Sequence, residues 1–182
     1  MIDLRSDTYK KKITSGYGQR ERPVAGASTN HQGLDIVLKN DNIPAVKTGE
    51  VTYVGYSESG GNMVYVTHGD GVTARYLHLA EPSKLSVGDT VTEGQTIGIQ
   101  GSTGYSTGKH LHIDFKRGGT TLDPDEYFDS GGSGAFVATS NDNTGSGWVM
   151  GIVGNIIEFV VILLILVLAV VLFMKAFDIH IK

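Results

Sequence analysis

The sequence predicts a mostly β domain, built of antiparallel sheet, followed by a single membrane-spanning helix. Three observations carry that prediction. The 182 residues include 25 Gly but only 4 Pro, a balance that suits a turn-rich β protein better than a disordered chain. Asp70-Gly71 lies between two β-rich runs, residues 62–67 and 72–77, and Asp-Gly between such runs is a strong hairpin signal. Residues 159–174 are 16 apolar residues without a break. The length suits one ordinary domain with additions rather than several domains.

Residues 1–129 are read as the globular domain. Its first 19 residues hold no apolar run and no cleavage-site pattern, so they do not read as a secretory signal. Lys10-Lys11-Lys12 reads as a solvated basic patch. Strands are expected over residues 34–38, 49–56, 62–67, 72–77, 96–100 and 111–115, with turns at Gly60-Gly61, Gly88-Asp89 and Gly118-Gly119. No amphipathic helical pattern of ten or more residues precedes residue 130. Residues 130–147 follow as a flexible tether, with 11 of 18 positions Gly, Ser or Thr. Such a chain reaches about 23 Å on average. Residues 148–182 are expected to be a membrane-anchoring helix with a short tail. The apolar run and its flanks give roughly 20 residues, enough to cross about 30 Å of hydrocarbon, with the lipid bilayer contacted over residues 152–177. Trp148 would sit where an interfacial aromatic fits. A helix apolar on every face would otherwise need a large protein to cover it.

Composition removes several function classes. The net charge is −4, and the first 129 residues carry 13 basic against 16 acidic side chains. That argues against a nucleic-acid partner. There is no cysteine, so disulfides, thiolate metal sites and cysteine nucleophiles are excluded, and any metal must be held by nitrogen and oxygen.

The histidines carry the chemistry. On a strand, His110, His112 and Asp114 share one face, while Leu111, Ile113 and Phe115 face the core. Two imidazoles on one sheet face suit either a half-exposed surface or a metal site. Support for the metal comes from His31-Gln32-Gly33-Leu34-Asp35, which offers a nitrogen and a carboxylate. Asp35 lies opposite to Leu34 and Ile36, and Gly33 lets the loop bend. One carboxylate with two imidazoles and an open fourth position is typical of catalytic zinc, and nitrogen ligands argue against magnesium and calcium. Tyr76, two residues before His78 and on the same face by alternation, reads as a packed structural residue. His68, beside the hairpin turn, also reads as structural. His180 lies beyond the apolar run.

Several stretches resemble one family. Ser15-Gly16-Tyr17-Gly18-Gln19-Arg20, then His31-x-Gly33-x-Asp35-Ile36, is similar to the opening of the lysostaphin-type (LytM-like) zinc metalloendopeptidases, metallopeptidase family 23. The run from His68-Gly69-Asp70-Gly71 to Tyr76-x-His78-Leu79 resembles their middle motif. Val87-Gly88-Asp89 through Gly98 resembles the next segment, and Gly101-x-Thr103-Gly104 through His110-Leu111-His112 the closing one. The resemblance covers residues 13–128. It implies an antiparallel β endopeptidase domain of the duplicated hybrid motif type. It also implies Zn2+ held by His31, Asp35 and His112, with His78 and His110 as the two unligated active-site histidines and peptidoglycan as substrate. Lys109 stands where the family usually has Pro, and Asp114 where it usually has Glu.

A wall hydrolase with a membrane tail and no export signal suggests a phage virion component, held in a viral membrane or tail. It would act on the wall from outside, with other virion proteins as further partners. A bacterial membrane-anchored remodelling hydrolase and a non-catalytic peptidoglycan-binding or structural membrane protein are the alternatives.

Overall fold

A computed structural model describes residues 1–23 and 25–132. Twelve strands and one short helix run in the order β1 Lys10–Ser15, β2 Gly18–Gln19, β3 Asn30–His31, β4 Leu34–Leu38, β5 Asn42–Pro44, β6 Gly49–Ser57, β7 Gly61–His68, β8 Val72–Leu79, β9 Thr90–Val91, β10 Thr96–Ile99, β11 Leu111–Arg117, β12 Thr120–Leu122 and α1 Pro124–Asp129. Every pairing among them is antiparallel. The main sheet has eight strands in the order β1-β4-β11-β8-β7-β6-β9, with β12 added on β11. Two smaller ribbons pair β10 with β5 and β2 with β3.

Side-chain alternation assigns the two faces of this sheet. Leu34 and Ile36 of β4, Ile113 and Phe115 of β11, Ala74 and Tyr76 of β8 and Val64 and Val66 of β7 are fully buried and form the core with Ile43, Val51 and Leu4. The odd-even partners on the central strands, among them Asp35, His112, Asp114, Arg75 and Leu77, stand on the other face and line a groove. The expected strands are all present, and the Asp70-Gly71 turn joins β7 to β8 in register from Thr67↔Thr73.

The short strands β2, β3, β5, β9 and β12 were not visible in the pattern, nor were β1 and α1. Lys10-Lys11-Lys12 is not merely a solvated patch; it begins β1, an edge strand paired with β4. Charged residues on an edge strand discourage pairing with other chains. α1 is too short to show a helical period. It is started by Asp123, whose carboxylate accepts from the Asp125 N–H, and by Pro124 in the first turn. Phe128 and Tyr127 of α1 pack on Phe115, with ring centroids 5.2 and 4.4 Å away. Arg5 holds the helix from outside, with Nη1 2.9 Å from Asp125 and Nη2 2.6 Å from Asp129. Among the described residues no helix is long and apolar enough to cross a membrane. The expected span, residues 152–177, lies outside them, as does the tether beyond residue 132.

Candidate metal centre and active site

Three strands deliver three ligand atoms to one point. His31 ends β3, Asp35 lies on β4 and His112 on β11, and Asp35 and His112 are direct cross-strand partners. His31 Nε2 is 3.1 Å from Asp35 Oδ1, His112 Nδ1 is 2.8 Å from the same oxygen, and the two nitrogens are 3.0 Å apart. All three side chains are buried. Gly33 makes the convergence possible: a Cβ there would lie 2.6 Å from His112 Nε2 and from the Ile113 carbonyl. A larger residue would push β11 and the His31 loop apart.

The hydrogen bonds behind the ligand atoms fix which nitrogen faces inward. His31 Nδ1 donates to the Gly16 carbonyl at 2.6 Å, so its Nε2 presents a lone pair. His112 Nε2 lies 3.3 Å from Asp114 Oδ2, so its Nδ1 is the inward atom. Asp114 is itself gripped by Arg75, whose Nε and Nη2 sit 2.6 and 2.7 Å from its two oxygens. Two imidazole nitrogens and a carboxylate oxygen thus stand within 3.1 Å of one another. They fit one cation with a nitrogen and oxygen donor set, as zinc prefers.

The electrostatics agree. Burial would push the Asp35 carboxyl up, but hydrogen bonds from His110, His112 and His31 hold it far below the usual carboxylate range. Burial lowers the His112 pKa, yet the flanking Asp114 and Asp35 outweigh it and push it up to about 9. A cation entering the site must therefore displace a proton from that ring.

His78 and His110 complete the cluster. The His78 ring centroid is 5.0 Å from that of His110 and 5.9 Å from that of His112. His78 Nδ1 donates to the Thr103 carbonyl at 2.7 Å, and His110 Nδ1 to the Gly108 carbonyl at 2.8 Å. Each therefore points its Nε2 towards the centre, and that of His110 is 3.5 Å from Asp35 Oδ1. Burial, aided by repulsion from His112 and His110, pushes the His78 pKa down to about 4.

Strand alternation put Tyr76 and His78 on one face, and the structure corrects this. Tyr76 is fully buried in the core, where its hydroxyl accepts from the Val46 N–H at 3.0 Å. His78 has φ +63°, a left-handed conformation uncommon outside glycine. That single residue breaks the alternation and turns the imidazole out of the core into the groove. The groove has two stretches, of about 640 and 410 Å³, and His78, His112, Arg20 and Tyr105 border both.

All five residues singled out from sequence, His31, Asp35, His78, His110 and His112, thus meet in one place. His68 does not join them: it is buried at the far end of β7, with Nδ1 3.2 Å from the Thr48 carbonyl. Arg75 carried no local signal, because its partnership with Asp114 is a cross-strand one. Arg20 stood in a recognisable motif without an assigned task, and the structure puts its Nη1 2.8 Å from Asp35 Oδ2.

Comparison with known proteins bears on the same stretch. The model of Peptidase family M23 matches residues 29–124. The chain is 35% identical over 148 residues to glycyl-glycine endopeptidase ALE-1 of Staphylococcus capitis, covering 76% of this chain and 39% of that protein. It is 36% identical over 123 residues to the peptidoglycan DD-endopeptidase ShyC of Vibrio cholerae, covering 66% and 28% respectively. It therefore spans two fifths or less of the length of these relatives. The catalytic domain of lysostaphin from Staphylococcus simulans superposes with a TM-score of 0.58 at 32% identity, over 67% of this chain and 93% of that one. With its fold, the three residues that could hold a metal and both accompanying histidines inside the matched region, the chain belongs to peptidase family M23.

Proposed function

We propose that the domain is a zinc endopeptidase that hydrolyses peptide bonds in the stems or cross-bridges of peptidoglycan. The observation that carries this reading is the convergence of His31 Nε2, Asp35 Oδ1 and His112 Nδ1 beside two further imidazoles with inward Nε2 atoms. Relatives named for glycyl-glycine and peptidoglycan DD-endopeptidase activity point to the wall peptide as substrate class.

Zinc at the three ligand atoms would supply a water acidified towards neutrality and a Lewis acid for the scissile carbonyl. The protein's own groups do the rest. His78 enters the reaction neutral, so its Nε2 lone pair is free to accept a proton as the reaction proceeds, and the Thr103 carbonyl stabilises the charged ring. His110, held by Gly108, is the second group able to hold or release a proton at the leaving amine. The groove on either side of the cluster holds an extended peptide across it.

The test is hydrolysis of purified cell walls, with muropeptides identified by mass spectrometry. His112→Ala is expected to lose metal and activity together. His78→Gln is expected to keep the metal and lose about 10²–10⁴-fold in kcat. Metal-independent activity of His112→Ala would sink the reading.

The remainder of the chain extends this proposal. The 16-residue apolar run at 159–174 supports a bilayer anchor, and the Gly/Ser/Thr-rich stretch before it supports a reach of about 23 Å from that anchor. In a phage virion, that arrangement would present a wall hydrolase to the cell from outside, and purified virions should contain the chain and clear a murein zymogram. Recovery only from membranes of uninfected cells would favour a bacterial remodelling enzyme instead.

A further inference from the structure

We propose that Arg20 is a positioning residue that restricts Asp35 to a single ligating oxygen. This rests on the metal-centre reading above and concerns a residue to which that reading gives no part. Arg20 Nη1 sits 2.8 Å from Asp35 Oδ2 and 2.8 Å from Ser15 Oγ. Oδ2 is the oxygen that does not face the imidazoles; Oδ1 makes the 2.8 and 3.1 Å approaches to His112 and His31. The guanidinium thus occupies one carboxylate oxygen and leaves the other for the cation.

The contact is built rather than incidental. Ser15 is the cross-strand partner of Asp35, and its hydroxyl lies 3.3 Å from His31 Nδ1. Arg20 therefore ties the backing of two ligands together. The Arg20 side chain is 21% exposed and the Asp35 side chain 11%, so this charge-assisted bond is largely shielded from water. Arg20 also borders both stretches of the groove without being consumed by either.

The chemical consequence concerns coordination number. A carboxylate with both oxygens free can bind a cation through both, filling the corner that a catalytic site keeps for water. With Oδ2 held by Arg20, that second oxygen is turned away and the corner stays open. A residue supporting a ligand from behind typically changes affinity or activity by about tenfold to a hundredfold when removed.

The experiment uses the full chain loaded with Co2+, whose visible absorption reports coordination number. The native chain is expected to show the intense band of a four-coordinate site. Arg20→Met is expected to weaken that band several-fold, as Asp35 becomes bidentate, and to lower kcat about tenfold to a hundredfold with KM little changed. Arg20→Lys keeps the charge on a shorter side chain without the rigid guanidinium, and its band should fall between the two. If Arg20→Met does not fold, Arg20→Lys alone carries the comparison. Spectra of the variants that superpose on the native spectrum would overturn the proposal, because an arginine that merely fastens its loop would leave the band unchanged. A native chain that takes up no cobalt would instead overturn the metal-centre reading itself.

Discussion

Single residues here do work that strand patterns do not announce. His78 is the sharpest case. Its left-handed backbone takes a side chain that alternation would bury beside Tyr76 and delivers it to the groove, a strained position of the kind that collects at functional sites. The place of His78 beside the other histidines was legible from its motif, whereas its direction was not, because a period of two carries no information about a one-residue reversal. Tyr76 shows the complementary point. Its hydroxyl satisfies the buried Val46 N–H, and Tyr76→Phe is expected to lower stability by about 1–3 kcal/mol in urea titration while sparing wall hydrolysis. His68 offers a pH test. Burial, only partly offset by Thr48 and Asp70, lowers its pKa below 6.5 in the fold, so the unfolded chain binds the proton more readily. Its contribution to stability is complete above pH 6.5 and is lost as the pH falls through the lowered folded value. The native chain should therefore lose more stability than His68→Gln between pH 7.5 and 5, and equal losses would exclude His68 as the source.

Among elements, β4, β6, β7, β8, β10 and β11 were readable and their mutual supports were not. Glycines at 60 and 61 mark a turn in sequence, but the structure shows a tertiary reason for Gly61. It has φ +65°, and a Cβ there would lie 2.2 Å from Thr103 Oγ1. The β6–β7 turn and the loop at Thr103 consequently pack backbone against backbone. Thr103 spans the same seam, its hydroxyl accepting from the Asn62 N–H and donating to the Leu79 carbonyl, while its own carbonyl receives His78. Gly61→Ala is expected to displace that carbonyl. It should lower kcat with the metal content unchanged and reduce stability by more than about 1 kcal/mol, since both the backbone conformation and the contact are lost. A variant with native kcat would show that the loop does not govern His78. β1 and α1 escaped the pattern for a related reason. β1 is short and lysine-rich, and α1 has only six residues, so their stability comes from pairing with β4 and from packing on Phe115, neither of which is a local property.

At the scale of the whole described domain, the site and the chain's exit lie at opposite ends of the central strands. β11 pairs His112 with Leu77 at one end of β8 and Arg117 with Val72 at the other, a separation of about 17 Å. Beyond Arg117 the chain turns through β12 and α1 to Gly132, whose carbonyl accepts from Lys47 Nζ at 2.9 Å; the same amine meets Asp70, beside Val72. Arg5, itself held by Asp3, fastens α1 through the carboxylates of Asp125 and Asp129 and lies over the Phe128 ring at 5.0 Å. Its pairs are partly open to solvent, so Arg5→Ala is expected to cost about 1 kcal/mol, read as a lower melting temperature with wall hydrolysis intact at 25 °C. The same layout governs how the domain would bear mechanical load. Tension applied beyond Gly132 would fall first on α1 and its hold on Phe115 and Arg5, and then on the antiparallel pairing of β12, before it came to bear on β11. The strand that carries His112 would thus be shielded from such a load by the two elements that follow it.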